Sequence, residues 1–387
     1  MPTVTICIPA YQAEGFVAHT VRSALAQTYT DIVVDVAIEP PGLGELAACE
    51  PLMQDKRLRV SVNDVVLGWA ENIAAMLKRV RTPYYLILPH DDFLHRRYVE
   101  VLLAAVENRS DALLAYGDIQ FMSGGFPQRR RQVLSEGGLA DRLISFLAAG
   151  AEAPIWRGVT RTDRLGDEFP TDNYRGLLVE TEWAFHLLTR GVAVRAPRTL
   201  YFKRFFGEER MTASRTRHNE TAEKLREGVE DHYRRMLGRA DAAFAGAVPE
   251  LALHGLQSIR AKRLLEHGIA EFGVEVHAAL DAAASGCERI GSAHALTIMA
   301  NILTAQSRAA ELSGNADDAL RLAKRAAGAD PQNAPVQTQL ARVLHAVGDR
   351  FGALQAIVAA CDADPYALGT RELTAQIEVD FLNGLKG

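Results

Sequence analysis

Short apolar runs and amphipathic segments alternate along the first 120 residues. The apolar runs predict buried strands at residues 4–8, 32–38, 58–62, 84–88 and 112–116. Between them, apolar residues recur at helical spacing, which predicts helices at about 16–27 and 71–78. Strands that are apolar on both faces and separated by helices are typical of a parallel sheet covered on both sides. We therefore expect an α/β domain in this region.

The pattern changes twice further along the chain. Residues 123–172 are rich in Gly, Pro and Arg, and a helix beginning near Glu182 is then followed by a short strand at 192–194. After about residue 211 the strand patterns end and Ala-rich helical patterns take their place. This change predicts a domain boundary near residue 212, with a first domain over residues 1–212.

The C-terminal part contains an internal repeat. The sequence Gly-Asn-Ala-Asp-Asp-Ala-Leu at 314–320 recurs as Gly-Asp-Arg-Phe-Gly-Ala-Leu at 348–354, an offset of 34 residues, and an Asp-Pro pair recurs at the same offset. This period resembles that of tetratricopeptide repeats (TPR). We expect an all-α, TPR-like domain over 291–387, preceded by a helical extension over 213–290.

The repeat is short for a structure of this kind, since a stack usually needs about three units. The apolar positions of its helices include Leu320, Leu340, Leu344, Leu354 and Ile357. We expect their free face to pack against a second copy of the chain, giving a homodimer. The alternative is that the helices of residues 218–285 cover the stack within one chain.

Composition excludes several classes of protein. Lys and Arg number 43 against 48 Asp and Glu, so the net charge is -5 and no basic domain indicates a nucleic-acid partner. No apolar stretch reaches the ~18 residues of a transmembrane helix, and the N-terminus has no signal-peptide layout. The cysteines lack C-x-x-C spacing, which favours reduced thiols and a cytoplasmic location; they are Cys7, Cys49, Cys287 and Cys361.

An acidic pair follows the predicted strand at 84–88. Asp91 and Asp92 stand at the carboxyl end of that strand, which is the edge where open α/β sheets bind ligands. Adjacent carboxylates repel each other unless a cation or hydrogen-bond donors compensate. A divalent cation that shares a diphosphate would do so. The alternative is that Asp92 caps the helix that follows.

Three motifs, taken in order, resemble the family 2 glycosyltransferases, which have a GT-A fold. The first is Val-Thr-Ile-Cys-Ile-Pro-Ala-Tyr at 4–11, followed by Glu14 and by Ser-Ala-Leu-Ala-Gln-Thr-Tyr at 23–29. The others are Leu-Gly-Trp-Ala-Glu-Asn at 67–72 and His-Asp-Asp at 90–92. The resemblance covers about residues 3–212. It implies a Rossmann-like, mostly parallel sheet with flanking helices and the transfer of a sugar from a nucleotide-sugar.

The resemblance also implies roles for individual residues. Asp91, with Asp92 beside it, falls where the family binds Mg²⁺ or Mn²⁺, although Pro89 replaces the first acid of the Asp-x-Asp motif. A UDP-sugar is the expected donor. Tyr11 could instead be a core aromatic residue, Asn72 a cap of its own turn and each cation a solvated side chain. The donor-binding positions are Pro9, Ala10, Tyr11, Glu14, Glu39, Asn72, Asp91, Lys203, Arg204 and Arg210.

An inverting transfer also needs a general base to take the proton of the acceptor. The family pattern places Glu180 there, with Glu182 as the runner-up, and the structural alternative is a first-turn glutamate. Trp156 lies on the expected acceptor side, either stacking on a sugar or packing under a loop. We expect a metal-dependent, inverting hexosyltransferase that acts on a glycan, a peptide or protein, or a small molecule. The alternative is a catalytically impaired GT-A protein that serves as a TPR scaffold.

Overall fold

Strands and helices alternate up to residue 122, and only helices follow residue 221 in the described part of the chain. The computed structural model describes residues 2–122, 127–130, 137–152, 154–166, 168–171, 178–204, 221–365 and 369–384. It divides into two units. The first comprises Met1–Leu143 and Glu152–Thr216, and the second comprises Ile144–Ala151 and Arg217–Gly387.

The first unit is built on one mixed sheet. Its strands, in chain order, are β1 (Val4–Ala10), β2 (Ile32–Ile38), β3 (Leu58–Val62), β4 (Tyr84–Ile87), β5 (Phe93–Leu94), β6 (Ala112–Met122), β7 (Pro127–Arg130), β8 (Val159–Arg161) and β9 (Val192–Arg204). They lie in the order β3-β2-β1-β4-β8-β6-β9-β5, with β7 beside β6. The half formed by β3, β2, β1 and β4 is parallel, as predicted. The other half is mixed, because β8 runs antiparallel to both β4 and β6.

Helices flank this sheet and bury its central strands. The helices of the first part of the chain are α1 (Val17–Leu25), α2 (Leu43–Cys49), α3 (Trp69–Arg79), α4 (Tyr98–Glu107), α5 (Leu139–Ala148) and α6 (Val179–Arg190). Every residue of β1 and β4 is buried, which explains why these strands are apolar throughout. The helix that was predicted to begin near Glu182 begins earlier, at Val179.

The strand predicted at 192–194 was too short, because β9 continues to Arg204. It pairs with β6 along its length, and register shifts interrupt that pairing. Arg195 broke the apolar pattern on which the prediction depended. In the structure, the guanidinium of Arg195 pairs with the buried carboxylate of Asp118 on β6 at 2.9 Å. This ion pair compensates the charge of Arg195 within the strand.

The second unit is all helical. Its helices are α7 (Ala222–Ala243), α8 (Glu250–Glu266), α9 (Val274–Ile290), α10 (Ala293–Leu312), α11 (Ala316–Ala329), α12 (Ala334–Ala346), α13 (Arg350–Ala363) and α14 (Thr370–Gly384). The predicted fold class, a GT-A-like sheet followed by an all-α region, is thereby confirmed. Because α10 contacts α8, α9 and α11, the predicted helical extension and repeats lie in one unit, and the division at residue 290 stays a prediction.

The internal repeat is visible in the backbone. Gly314 and Gly348 both have left-handed φ angles, of 78° and 83°. Each precedes an N-cap residue, and the side chains of Asn315 and Asp349 accept hydrogen bonds from the first turns of α11 and α13. The two helices therefore begin in the same way, while the assignment to the TPR class stays a prediction.

Residues 144–151 belong with the helices because their backbone is bonded there. Lys262 donates to the carbonyl oxygen of Gly150 at 2.8 Å, and Asn301 donates to that of Ala148 at 2.8 Å. Gly255 on α8 faces Leu147 so closely that an added Cβ would lie 2.8 Å from the leucine Cβ. A larger residue at this position would push the segment away.

Candidate functional site

The turn after β4 is fixed at the carboxyl edge of the sheet. The hydroxyl of Thr20, on α1, is within hydrogen-bond distance of the carbonyl oxygens of His90 (2.6 Å) and Asp92 (2.8 Å). The Nδ1 of His90 lies 3.2 Å from the carbonyl oxygen of Pro9, near the end of β1. Parallel strands present their carboxyl ends at one edge, so the acidic pair lies where the sequence predicts it.

Asp92 is buried and is bonded within the protein. Only 1% of its surface is exposed. Its Oδ2 accepts a hydrogen bond from the hydroxyl of Tyr201 at 2.6 Å, and its Oδ1 accepts one from the backbone N–H of Arg204 at 3.1 Å. Burial raises the pKa of Asp92 to about 6, with Arg157 opposing the shift and Asp91 adding to it. Asp92 thus joins the end of β9 to the acidic turn, and its predicted contact with a metal stays a prediction.

Arg157 supplies a buried positive charge beside Asp92. It is 7% exposed, its Nε donates to the hydroxyl of Tyr201 at 3.2 Å, and the same Nε lies 3.8 Å from the Oδ2 of Asp92. Burial lowers the pKa of Arg157, but Tyr201, Asp92 and Glu180 raise it, and the net change is upward. No sequence pattern indicates a role for this arginine, because it lies in an irregular region far along the chain from Asp92.

A glycine keeps the segment that carries Arg157 close to the sheet. A Cβ at Gly158 would lie 2.5 Å from the carbonyl oxygen of Ala115 on β6. Any side chain there would separate β8 from β6 and move Arg157 with it. The Gly that follows Arg157 is therefore the one local signal in the sequence that could have indicated the position of the arginine.

Asp91 differs from its neighbour. It is partly exposed, and within the described residues no hydrogen bond or ion pair engages its carboxylate. Lys203 on β9 interacts electrostatically with it. Burial, followed by Arg157, lowers the pKa of Lys203, and the opposing effects of Asp92, Glu180 and Asp91 do not reverse this shift. Acidic and basic groups from the turn after β4, the segment before β8, α6 and β9 therefore interact with one another, and their charges suit both a cation and a diphosphate.

The two candidate bases lie in the first turn of α6 and differ in exposure. Glu182 is 4% exposed, whereas Glu180 is partly exposed and its charge interacts with Arg157 and Lys203. A general base must reach the proton that it removes. The structure therefore favours Glu180 for this role, which stays a prediction.

The acid after β2 is engaged by the neighbouring loop. Glu39 is 3% exposed, and its carboxylate accepts hydrogen bonds from the N–H of Leu67 (2.7 Å) and the amide of Asn63 (3.4 Å). Burial raises the pKa of Glu39, and these two bonds oppose the shift. Asn72, which is also buried, donates to the carbonyl oxygen of Ala37 and accepts from Asn63. Both residues hold the loop before α3, and their predicted contacts with a nucleotide stay predictions.

The end of β1 provides a more open surface. Pro9 and Ala10 are buried, but Tyr11 is 47% exposed and Glu14 is exposed as well. Tyr11 is therefore not a core aromatic residue. Glu45 on α2, which the sequence analysis did not identify, accepts the N–H of Ala13 at 2.8 Å and so fixes the loop after β1.

The predicted cations at the end of β9 have separate surroundings. The guanidinium of Arg204 lies 5.5 Å from the ring centroid of Phe16 and 5.6 Å from that of Phe93. The Nζ of Lys203 lies 5.7 Å from the ring centroid of Phe121. Arg210 lies outside the described residues.

The motifs at the carboxyl edge of the sheet lie within the range of one family model. Residues 5–166 match the sequence model of Glycosyl transferase family 2. The N-terminal unit is a family 2 glycosyltransferase domain. The predicted family and the predicted class of enzyme, a glycosyltransferase, are thereby confirmed. None of the curated proteins matches the chain in sequence.

Solved structures share the fold of this glycosyltransferase. The crystal structure of S. aureus TarS 1–349 in complex with UDP-GlcNAc is 16% identical, with a TM-score of 0.51, and the match covers 89% of this chain and 92% of that one. The structure of TarS 1–349 is 15% identical, with a TM-score of 0.50 and the same coverage. At this level of identity, the similarity concerns the fold.

The donor atoms of the glycosyltransferase fit a metal that is shared with a substrate. Among the described residues, no group of three or more His, Cys, Asp or Glu side chains is arranged to hold an ion. Mg²⁺ is commonly held by one or two carboxylates together with phosphate oxygens and water. Asp91 fits such a site. In the described ranges, no helix has the length and apolar character needed to cross a bilayer.

Proposed function

We propose that the protein is an inverting, metal-dependent glycosyltransferase that moves a hexose from a nucleotide-sugar to an acceptor. The observation that carries the proposal is the buried pair of Asp92 and Arg157, 3.8 Å apart at the carboxyl edge of the sheet, together with the charges of Asp91, Glu180 and Lys203 that interact with it. Together they offer a carboxylate for a cation, positive charge for a diphosphate and a second carboxylate for a proton. These are the groups that sugar transfer from a nucleoside diphosphate needs.

The diphosphate end of the donor belongs beside Asp91. Negative charge grows on the leaving phosphate, and Mg²⁺ or Mn²⁺ held by Asp91 would act there as a Lewis acid. Lys203 and Arg157 bring positive charge to the same place, where burial strengthens electrostatic interactions. Asp92, already bonded to Tyr201 and Arg204, acts by fixing this arrangement.

The acceptor end of the reaction belongs to Glu180. The acceptor hydroxyl passes its proton to the Glu180 carboxylate while its oxygen attacks the anomeric carbon. The bond from that carbon to the diphosphate oxygen breaks on the opposite face, so the configuration inverts.

A UDP-sugar is the donor that we propose. The crystal structure of TarS 1–349 with UDP-GlcNAc supports this choice through a shared fold. The acceptor is a glycan, a peptide or protein, or a small molecule. The free cysteines of this chain suit a reducing compartment, so we infer that the reaction takes place in the cytoplasm.

Hydrolysis of UDP- and GDP-hexoses by the full chain, with Mn²⁺ and no acceptor, tests the proposal. We expect release of the nucleoside diphosphate from at least one UDP-hexose, and no release in EDTA. A protein that binds and hydrolyses none of them would instead be the scaffold, in which only the helical unit works. The presence of Pro89 in place of an acid is the feature that favours that alternative.

We also infer that the helical unit forms a homodimer. The contact would not use the five apolar residues that the repeat pattern indicates, because these lie inside the unit. Leu344 and Ile357 are buried within the chain, and Leu320, Leu340 and Leu354 pack against the same clusters. Phe351, Val358, Val379 and Leu382 on α13 and α14 are at least half exposed. Light scattering at tens of micromolar tests the homodimer, and a monomer would leave acceptor binding as the role of this unit.

A further inference from the structure

Trp69 is a large apolar side chain that is partly open to solvent. It is the first residue of α3, and 36% of its surface is exposed. Val65 and Val66, in the loop before it, are 61% and 62% exposed. A contiguous exposed apolar segment beside a polar cluster is a common feature of ligand-binding grooves.

Hydrogen bonds of the neighbouring backbone fix the position of Trp69. The carboxylate of Glu39 holds the N–H of Leu67, two residues earlier, and the N–H of Asn72 bonds the carbonyl oxygen of Gly68. Gly68 has a φ of 85°, a left-handed conformation that favours glycine and that turns the chain into the helix. The buried acid and the glycine therefore present the indole in a defined place.

A chain of ring contacts links Trp69 to the charged cluster. Its ring centroid lies 6.2 Å from that of Trp156, and the guanidinium of Arg157 lies 4.7 Å from the Trp156 centroid. Arg157 in turn reaches Asp92 and interacts with Glu180. Trp69 is thus connected through Trp156 to Arg157, one of the groups that we assign to the diphosphate.

Trp156 adds a second indication of a ligand. It is 4% exposed, and its indole N–H has no hydrogen-bond acceptor within the described residues. Buried donors without an acceptor are rare in proteins because they are costly. A hydroxyl oxygen or a water molecule brought in by a ligand would satisfy this one.

We propose that Trp69, backed by Trp156, binds the pyranose ring of the donor by stacking against its apolar C–H face. The inference rests on the proposed function and adds a subsite to it. A hexose combines an apolar face for the indole with hydroxyl groups for the buried N–H. The hexosyl group is bonded directly to the diphosphate, so a ring beside Arg157 is in reach of it, whereas the nucleobase is expected at the end of β1.

Calorimetry on the full chain with Mn²⁺ tests this subsite, with UDP compared against the UDP-hexose that binds best. Trp69→Ala is expected to weaken the affinity for the UDP-hexose on the order of tenfold, the scale of a lost aromatic contact, and to leave the affinity for UDP unchanged. Trp69→Phe should retain part of the affinity. Leu253→Ala, which removes a side chain of similar exposure (37%) from the helical unit, should change neither affinity.

Tryptophan fluorescence gives a readout that does not depend on turnover, because the chain has only three tryptophans. The UDP-hexose, but not UDP, should change the emission, and Trp69→Phe should abolish the change. An equal loss of affinity for UDP and the UDP-hexose in Trp69→Ala would overturn the proposal in favour of a nucleobase contact. No loss for either ligand would also overturn it. If the unmodified chain binds neither UDP nor any UDP- or GDP-hexose, the proposed function itself fails and the subsite with it.

Discussion

Two buried ionisable side chains, one in each unit, have opposite surroundings. In the glycosyltransferase unit, the buried carboxylate of Asp92 accepts two hydrogen bonds and has Arg157 beside it. In the helical unit, His232 is 1% exposed, and neither of its ring nitrogens has a hydrogen-bond partner in the described residues. Burial, together with Arg263, His267 and Arg235, lowers the pKa of His232 to about 3.

This difference separates a functional arrangement from a structural one. A bonded network such as that of Asp92 fixes the groups next to it, so that Asp91 can keep its carboxylate for a ligand. An isolated ring such as that of His232 is held neutral by its surroundings and positions no neighbour. Burial of a polar group therefore does not mark a candidate site by itself. Asp92 belongs to one because its carboxylate is bonded to Tyr201 and Arg204 beside Asp91.

The largest expected effect comes from the carboxylate that is left for the ligand. Asp91→Asn should lower the rate of transfer or donor hydrolysis by about 10³-fold or more, because it removes the proposed metal ligand. The free energy of unfolding should stay within about 0.5 kcal/mol, because no hydrogen bond or ion pair of the described residues engages the Asp91 carboxylate. Initial rates with Mn²⁺ and denaturant unfolding measure the two quantities.

The metal itself gives the control for that variant. The unmodified chain should bind UDP much more weakly in EDTA than in Mn²⁺, whereas Asp91→Asn should bind it equally weakly in both. Equal affinities of the unmodified chain in EDTA and in Mn²⁺ would count against any metal at Asp91.

The next largest effect is expected at the proposed base. Glu180→Gln should lower kcat by about 10²–10⁴-fold, the usual contribution of general-base catalysis. The Kd of the donor should change little, because the base acts on the acceptor in the transition state. Glu182→Gln is the matched control, and the assignment moves to Glu182 if that variant alone loses turnover.

A smaller effect is expected from the network that surrounds Asp92. Tyr201→Phe removes the hydroxyl that donates to Asp92, so the unfolding free energy should fall by about 1–3 kcal/mol and the rate by roughly tenfold. Tyr98→Phe removes a buried hydroxyl that donates to the backbone oxygen of Arg157. It should lower stability with little change in rate, and equal rates for the two variants would refute the positioning role of Tyr201.

Replacing His232 is expected to have the smallest effect on sugar transfer. At neutral pH we expect no effect on the rate. Its pKa in the folded state lies below the ordinary value of 6.5, so the unfolded chain binds more protons below that pH. The helical unit should therefore lose stability as the pH falls, by about 3 kcal/mol between pH 6.5 and pH 4. His232→Phe should remove this part of the pH dependence in denaturant unfolding; an unchanged profile would assign the loss to other groups.

The sequence predicted the parts of the fold that depend on local pattern. The strand at 32–38 was predicted with the bounds that the structure gives, because six of its seven residues are apolar. The length of β9 was missed, since the compensation of Arg195 by Asp118 joins distant segments. Arg157 was missed for the same reason, because its relation to Asp92 and Tyr201 exists only in the folded chain.

Within the site, the sequence identified the correct edge but could not assign the acids there. Glu39 and Asp91 both follow buried parallel strands. The carboxylate of Glu39 accepts a hydrogen bond from the N–H of Leu67, whereas Asp91 is partly exposed. Which acid a loop uses for its own backbone depends on where that loop passes, and no residue type or spacing records it.

The eight residues from Ile144 to Ala151 belong to the helical unit although they lie between two parts of the glycosyltransferase unit in the chain. This affects how the two units can be separated by truncation or exchanged in a fusion. The chain enters the helical unit there, returns to the glycosyltransferase unit and leaves it again, so no single breakpoint in a gene separates the two. Deleting everything after residue 290 would remove the partners of Ser145 and Ala148, which are His294 and Asn301. It would also open the packing around Phe146 and Leu147, which are 3% and 0% exposed. An engineered fusion that exchanges one unit of this chain must therefore also replace the embedded segment.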